Sequence, residues 1–65
     1  MATAKKLILA AKKGEVGAIR ENLEAGISVD STDAGGSTPL YWAAYKGHAG
    51  AHATIMTARR AQTLH

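Results

Sequence analysis

The chain has 65 residues, no cysteine and a formal net charge of +3 at pH 7. This length predicts one small domain over residues 1–65, and the composition excludes disulfides and thiolate zinc sites as its means of stabilisation. The longest apolar run, Leu7–Ala11, is far shorter than the roughly 20 residues of a membrane-spanning helix. The lack of cysteine suits a reducing compartment, so we expect a cytoplasmic or nuclear protein.

Two predicted helices occupy the first part of the chain, which glycines divide into short segments. Residues 4–13 are rich in good helix formers, with Thr3 available as an N-cap and Gly14 where a left-handed C-terminal residue is favoured. Residues 15–25 predict an amphipathic helix that ends at Gly26. The apolar side chains of this second helix recur on one face, at Val16, Ile19 and Leu23.

An irregular segment and two further predicted helices follow. Residues 27–37 are dense in turn-forming residues and predict an extended, hairpin-like loop. Thr38 can cap a third helix, which we expect over Pro39–Lys46 because proline tolerates the first helical position. Gly47 ends that helix, and a fourth helix is expected over Ala49–Ala61.

The chain also repeats itself at an offset of 33 residues. The offset aligns identical residues, mostly alanines and glycines, at positions where neighbouring helices approach or a turn closes. A period of this length with two helices and a turn is typical of stacked repeats, which bury their apolar faces only against each other. The matched pairs are Leu7 with Leu40, Ala10 with Ala43, Ala11 with Ala44, Lys13 with Lys46, Gly14 with Gly47, Gly17 with Gly50, Ala18 with Ala51, and Ala25 with Ala58.

The segment from Asp33 to His48 carries the most specific pattern in the sequence. It resembles the ankyrin-repeat motif D-x-x-G-x-T-P-L-H-x-A-A-x-x-G-H and differs at one specified position, where Tyr41 stands in place of histidine. Upstream, residues 23–30 resemble the end of an ankyrin repeat, L-E-x-G-A-D-V-N. The residues that carry the structural part of the resemblance are Thr38, Pro39, Leu40, Ala43, Ala44, Gly47 and His48, together with the turn glycines Gly14 and Gly26.

This resemblance implies an all-α fold in which ankyrin-type helix-turn-helix repeats stack as a short solenoid, with a hairpin-like loop between repeats. Residues 4–36 would form an N-terminal capping repeat, and residues 37–59 part of a second repeat. After His48 the family has a helix rich in large apolar residues, whereas here only Ile55 and Met56 keep bulk and Arg59 replaces a glycine. We therefore expect residues 60–65 to form a divergent tail, and the second repeat to be truncated or replaced at its C-terminal end.

The resemblance also implies a binding surface, because partners of ankyrin repeats usually occupy a concave groove formed by first helices and loop tips. Trp42 and Tyr45 fall there, three residues apart on one helical face, and large aromatic side chains dominate many protein interfaces. Packing of Trp42 against a neighbouring repeat is an equally ordinary use of that side chain, and both interpretations stay open. The other groove positions are Ala34 and Gly35 at the hairpin tip, Ser37 and Lys46 in the second repeat, and Leu9, Lys12 and Lys13 in the first.

Metal binding and catalysis have little support in the sequence. His48 and His52 have the i, i+4 spacing of zinc ligands, and His65 is a third candidate, but no carboxylate lies nearby and the resemblance gives His48 a structural role in a turn. No nucleophile motif or phosphate-binding glycine loop is present. We therefore expect no metal, no cofactor and a protein that is not an enzyme.

The resulting hypothesis is a protein-protein interaction module, a scaffold or a regulatory binder, whose protein partner the sequence does not identify. Three alternatives stay open. An uncovered C-terminal face can drive self-association, and a stack of fewer than about three repeats can lack autonomous function. The third is binding of nucleic acid or other polyanions, which no nucleic-acid motif supports and which would use Lys5, Lys6, Lys12, Lys13, Arg59 and Arg60.

Overall fold

The computed structural model describes the backbone of residues 2–63 and the side chains of residues 2–62. That part of the chain is helical with no β-strand, which confirms the predicted all-α class. The first helix has the predicted range, the second begins one residue later and ends one residue earlier than expected, the third ends one residue earlier, and the fourth ends two residues later. The helices are α1 (Ala4–Lys13), α2 (Val16–Glu24), α3 (Pro39–Tyr45) and α4 (Ala49–Thr63).

Local capping explains where α1 and α3 begin. The Thr3 hydroxyl accepts the Lys6 backbone N–H at 3.1 Å, and the Thr38 hydroxyl accepts the Tyr41 N–H at 3.1 Å. Each threonine has extended backbone angles, so its side chain folds back over the free amides of the first turn. The two helices that carry the repeat therefore start with the same chemistry, 35 residues apart.

The four helices form two helix-turn-helix pairs that lie side by side. The first pair is α1 with α2 and the second is α3 with α4, while α1 also packs against α3 and α2 against α4. The core between them combines small alanines with a few large aliphatic side chains, which allows close approach of the helices. Its buried residues are Leu7, Ala10, Ala11, Ile19, Val29, Ala43, Ala51 and Ile55.

The two pairs are joined by a contact between a histidine and the turn that ends α1. His48 Nε2 lies 2.9 Å from the Lys12 carbonyl oxygen, and because a carbonyl can only accept, Nε2 donates its proton. The imidazole rests on Gly14, where an added Cβ would lie only 2.6 Å from His48 Nδ1. Gly14 also has a φ of 73°, a left-handed conformation that favours glycine. This position therefore needs glycine both for its backbone and for the space it leaves.

The segment between α2 and α3 reverses direction through turns, as the hairpin-like loop was predicted to do. At its tip the Asp33 N–H donates to the Ser37 carbonyl at 3.0 Å, and the Gly36 N–H donates to the Asp33 carbonyl at 3.0 Å. Val29 is buried in the core and anchors the segment from within. The loop tip is thereby fixed against the start of α3.

The outer helix of the second pair, α4, carries one large fully buried side chain, Ile55, as the shortage of apolar residues in the sequence predicts. Near its end, Gln62 Oε1 accepts the Val29 N–H at 3.3 Å, and Arg59 Nε lies 3.8 Å from Asp30 Oδ1. The helix continues through the start of the predicted tail, residues 60–65, of which 64 and 65 lie outside the described residues. Position 59 is therefore not the end of an element.

Within residues 2–63, the helices lack the combination of length and apolar character that a membrane span requires.

We expect Gly14→Ala to destabilise the protein more than Gly47→Ala. Gly47 has a similar φ of 76°, but nothing lies within 4 Å of its added Cβ, so alanine there adds backbone strain alone, about 1 kcal/mol. At position 14 the methyl group also displaces the His48 ring and its hydrogen bond, and we expect a total loss of about 2 to 3 kcal/mol. Urea unfolding followed by circular dichroism measures both, and equal losses would show that the imidazole does not rest tightly on Gly14.

Candidate binding surface

One face of α1 presents a stripe of side chains in which two lysines flank two apolar residues. Lys5, Ile8, Leu9 and Lys12 have the i, i+3, i+4, i+7 spacing of neighbours on a helix surface. Together with Thr32, Asp33 and Ala34 from the loop tip, they line a groove of about 530 Å³. Ile8 forms its buried floor, and Leu9 remains 48% exposed. We call this surface the α1 groove.

The Asp33 carboxylate fixes the loop tip that forms the opposite wall of the groove. Oδ1 accepts the backbone N–H groups of Gly35 and Ser37, each at 2.9 Å, and Oδ2 accepts the Trp42 indole N–H at 2.9 Å. The hydrogen bond from Ser37 is the main cause of a lowered Asp33 pKa, followed by the bond from Trp42, with a smaller contribution from the charge of Lys12. Asp33 is therefore ionised at neutral pH and holds the loop tip to α3.

Trp42 lies at the junction of the two repeats. Its N–H is used by Asp33, and the Lys12 ammonium lies 4.4 Å from the ring centroid, a cation–π distance. The ring is half-buried and packs against the core cluster. One side chain thus contacts its own loop, the neighbouring repeat and the edge of the groove.

Three aromatic rings cluster on α3. Tyr41 and Tyr45 are stacked, with centroids 5.7 Å apart, and Trp42 meets both edge-on at 5.3 and 5.8 Å. Tyr45 is 67% exposed and Tyr41 50% exposed, so the cluster presents aromatic surface to solvent. The sequence prediction included Trp42 and Tyr45 but missed Tyr41, although its i, i+4 spacing from Tyr45 was a visible signal.

The remaining predicted positions divide between the groove and its surroundings. Leu9, Lys12 and Ala34 line the α1 groove. Ser37 lies beside it and is bonded through its backbone to Asp33. Lys46 lies at the other end of α3, where its ammonium is 5.9 Å from the Tyr45 ring centroid. The other two positions, Lys13 at the end of α1 and Gly35 at the loop tip, are exposed and do not line the groove.

The C-terminal side of α3 and α4 is an uncovered copy of the first repeat's covered side. Ala11 is fully buried by the second repeat, whereas Ala44, its equivalent at the 33-residue offset, is exposed. By the same offset the buried Ile8 corresponds to Tyr41, and the half-buried Leu23 corresponds to Met56, which is 39% exposed. We call this surface the C-terminal face.

The histidines do not assemble a metal site within the described residues. Among them no group of three histidine, cysteine, aspartate or glutamate side chains lies close enough to hold a metal ion. His48 is committed to the Lys12 carbonyl, and His52 is half-buried on α4. His65, the third ligand candidate, lies outside the described residues.

The paired helices, the shared turn and the open groove define a helix-turn-helix repeat protein. A family model described as ankyrin repeats (many copies) matches residues 7–57, which is more than half of the chain. The chain therefore belongs to the ankyrin-repeat family, whose members generally act as protein-interaction modules and are typically not enzymes.

Proteins with similar sequences contain the match as a small part of a longer chain. Over 38 residues the chain is 45% identical to acyl-CoA-binding domain-containing protein 2 of Arabidopsis thaliana. This aligned stretch covers 58% of this chain and 11% of that protein. Over 39 residues it is 46% identical to osteoclast-stimulating factor 1 of Rattus norvegicus and of Sus scrofa. That stretch covers 60% of this chain and 18% of each relative. The chain thus spans less than a fifth of the length of these relatives.

We expect acid to destabilise the protein partly through Asp33. Folding lowers the pKa of Asp33, so the ionised carboxylate contributes to the free energy of unfolding. This contribution is complete above the ordinary pKa of 3.8 and is lost as the pH falls from there through the folded-state pKa. Asp33→Asn should therefore lower the melting temperature at pH 7 and flatten its dependence on pH between about 5 and 2.

Asp30→Asn is the matched control, since this exposed carboxylate has one ion pair of 3.8 Å and such pairs contribute little. Thermal melts of the three proteins across this pH range make the comparison. If Asp33→Asn keeps the acid dependence of the parent chain, the carboxylate does not hold the loop tip as described.

Proposed function

We propose that the chain is a protein-binding module that performs no catalysis and engages its partner through the α1 groove and the adjoining aromatic cluster. The observation that carries the proposal is the exposure of two large side chains, Leu9 in the α1 groove and Tyr45 on α3, where its ring packs on Trp42. Exposed apolar side chains held on rigid elements are typical of binding surfaces, because burying them on a partner is favourable and costs little ordering.

The surroundings of these side chains support the same reading. Asp33 fixes the loop wall through three hydrogen bonds, and Trp42 supports the wall from α3. Side chains on helices have fewer conformations to lose on binding than those on mobile loops. Tyr45 and Leu9 project from two such helices, so we assign them the role of anchors and Trp42 that of a support that also borders the surface.

The test uses a partner isolated by capture on the chain and then measured by calorimetry. We expect Leu9→Ser combined with Tyr45→Ala to weaken binding of that partner about tenfold or more, since anchors of this kind supply a large share of the binding free energy of an interface. Both side chains are largely exposed, so the variant should keep its fold and melting temperature. We choose Tyr45 over Trp42 because truncating Trp42 also removes the hydrogen bond to Asp33.

Glu24→Ala combined with Thr57→Ala serves as the control for this test. Both residues are exposed and line the outer side of α2 and α4, away from the α1 groove. Binding that is weakened equally by the two double variants, or by neither, would refute the assignment of the surface.

Self-association is a second candidate, favoured by the uncovered C-terminal face. Its exposed members, Tyr41, Ala44 and Met56, are equivalent to Ile8, Ala11 and Leu23, which are buried or half-buried in the first repeat. The opposite end of the stack is polar, with Asn22 buried there and bonded to the Thr3 N–H and the Ala18 carbonyl. A pair formed by two C-terminal faces therefore buries more apolar surface than a head-to-tail stack.

Sedimentation equilibrium distinguishes this candidate. The weight-average mass should rise above the monomer value of 6.7 kDa with increasing concentration, and Ala44→Lys with Met56→Lys should abolish the rise because two lysines facing their copies repel. A mass that stays at the monomer value at all concentrations would exclude self-association.

A further inference from the structure

We infer that the segment bound in the α1 groove is acidic, with carboxylates on both sides of an apolar side chain. This inference rests on the proposed function and specifies the chemistry of the partner. It comes from the order of side chains along the groove, where Lys5 and Lys12 stand at the two ends and Leu9 lies between them.

The two lysines are available to a ligand. Neither Lys5 nor Lys12 has an ion-pair partner among the described residues. The Lys12 ammonium lies over the Trp42 ring at the groove edge, and it attracts the Asp33 carboxylate from beyond ion-pair distance. An incoming carboxylate can therefore pair with Lys12 without first breaking an ion pair within the protein.

The acids of the chain lie mostly elsewhere. Of its five acidic residues, only Asp33 lines the groove. Both of its carboxylate oxygens already accept hydrogen bonds from N–H groups of the loop tip and of Trp42, which stabilise its negative charge at the groove wall. Glu15 precedes α2, Glu21 and Glu24 are on α2, and Asp30 faces Arg59. The groove therefore carries two of the eight basic side chains of the chain and one carboxylate, and its two lysines attract acidic segments.

The spacing of the groove fits an extended peptide. Lys5 and Lys12 are seven residues apart on α1, which is about 10 Å along the helix axis. In an extended peptide, alternate side chains point the same way, so an acidic–x–apolar–x–acidic sequence places two carboxylates about 13 Å apart with the apolar side chain between them. Flexible lysine side chains bridge the small difference, and the apolar side chain meets Leu9 over the Ile8 floor.

The experiment selects peptides and lets their composition decide. A library of random nonapeptides displayed on phage is selected on the chain near physiological salt, and each recovered peptide is tested again on the Leu9→Ser variant. We expect the peptides that need Leu9 to be enriched in aspartate and glutamate flanking an apolar residue, and depleted in lysine and arginine.

Two matched lysine pairs then locate the charge effect. Lys5→Gln with Lys12→Gln and Lys6→Gln with Lys13→Gln remove the same net charge from the same helix, but only the first pair lines the groove. Synthetic copies of the selected peptides should bind the first variant about five- to thirtyfold more weakly than the parent chain, as expected for two exposed ion pairs, and the second less than about threefold more weakly.

The outcomes separate this inference from the function on which it rests. Peptides that need Leu9 but carry no excess of acidic residues, or that respond equally to both lysine pairs, would overturn the inference and leave the groove as a binding site. Peptides that ignore Leu9→Ser would overturn the groove itself. A single-stranded DNA oligonucleotide that binds more tightly than every selected peptide, and loses binding in the Lys5 and Lys12 variant, would make the site one for polyanions and overturn the inference.

Discussion

The seat of the His48 imidazole on the turn that ends α1 is the contact on which the rest of the structure depends. Its hydrogen bond to the Lys12 carbonyl links the turn after α3 to the end of α1 and so holds the second helix pair against the first. Gly14 allows the ring to approach this turn, because any side chain there would occupy the same space. Lys12 takes part in two contacts between the repeats. Its carbonyl accepts the hydrogen bond from His48, and its ammonium lies over the Trp42 ring. The groove is thus a product of how the repeats dock.

A second constraint, the Asp33 carboxylate, converts that docking into a shaped surface. Loops of this length are ordinarily mobile because their backbone groups lack regular partners. Here one side chain accepts two N–H groups of the loop and one from α3, so the loop tip becomes a wall. The Asp33 carboxylate shares the groove with Lys5 and Lys12, and the charge of Lys12 contributes to the lowered Asp33 pKa. The shape of the loop wall and the charge at the groove therefore depend on the same carboxylate.

Much of the architecture could be predicted from the sequence because local capping residues and the repeat determine it. Thr3 and Gly14 bound α1, Thr38 and Pro39 start α3, and the 33-residue offset shows that the two units are alike. The ends of α2 were less predictable, since Glu15 makes no capping hydrogen bond with its side chain. Helix ends without a strong cap are decided by packing.

The candidate binding surface was only partly predictable for a different reason. Its candidate positions follow from the repeat pattern, and three of them, Leu9, Lys12 and Ala34, line the groove. The bond from Trp42 to Asp33 and the stacking of Tyr41 on Tyr45 depend on side-chain directions that residue spacing alone does not give. Whether Trp42 packs or recognises a partner was left open by the sequence, and in the structure the ring packs against the core cluster and keeps part of its surface exposed.

The position of Trp42 has a practical consequence, because it is the only tryptophan in the chain. Its indole is flanked by an ammonium from the first repeat and a carboxylate from the loop, and indole emission responds to both kinds of charge. Intrinsic fluorescence therefore reports separation of the two repeats even where helical content is unchanged. Trp42 is thus a native fluorescent residue at the interface between the two repeats.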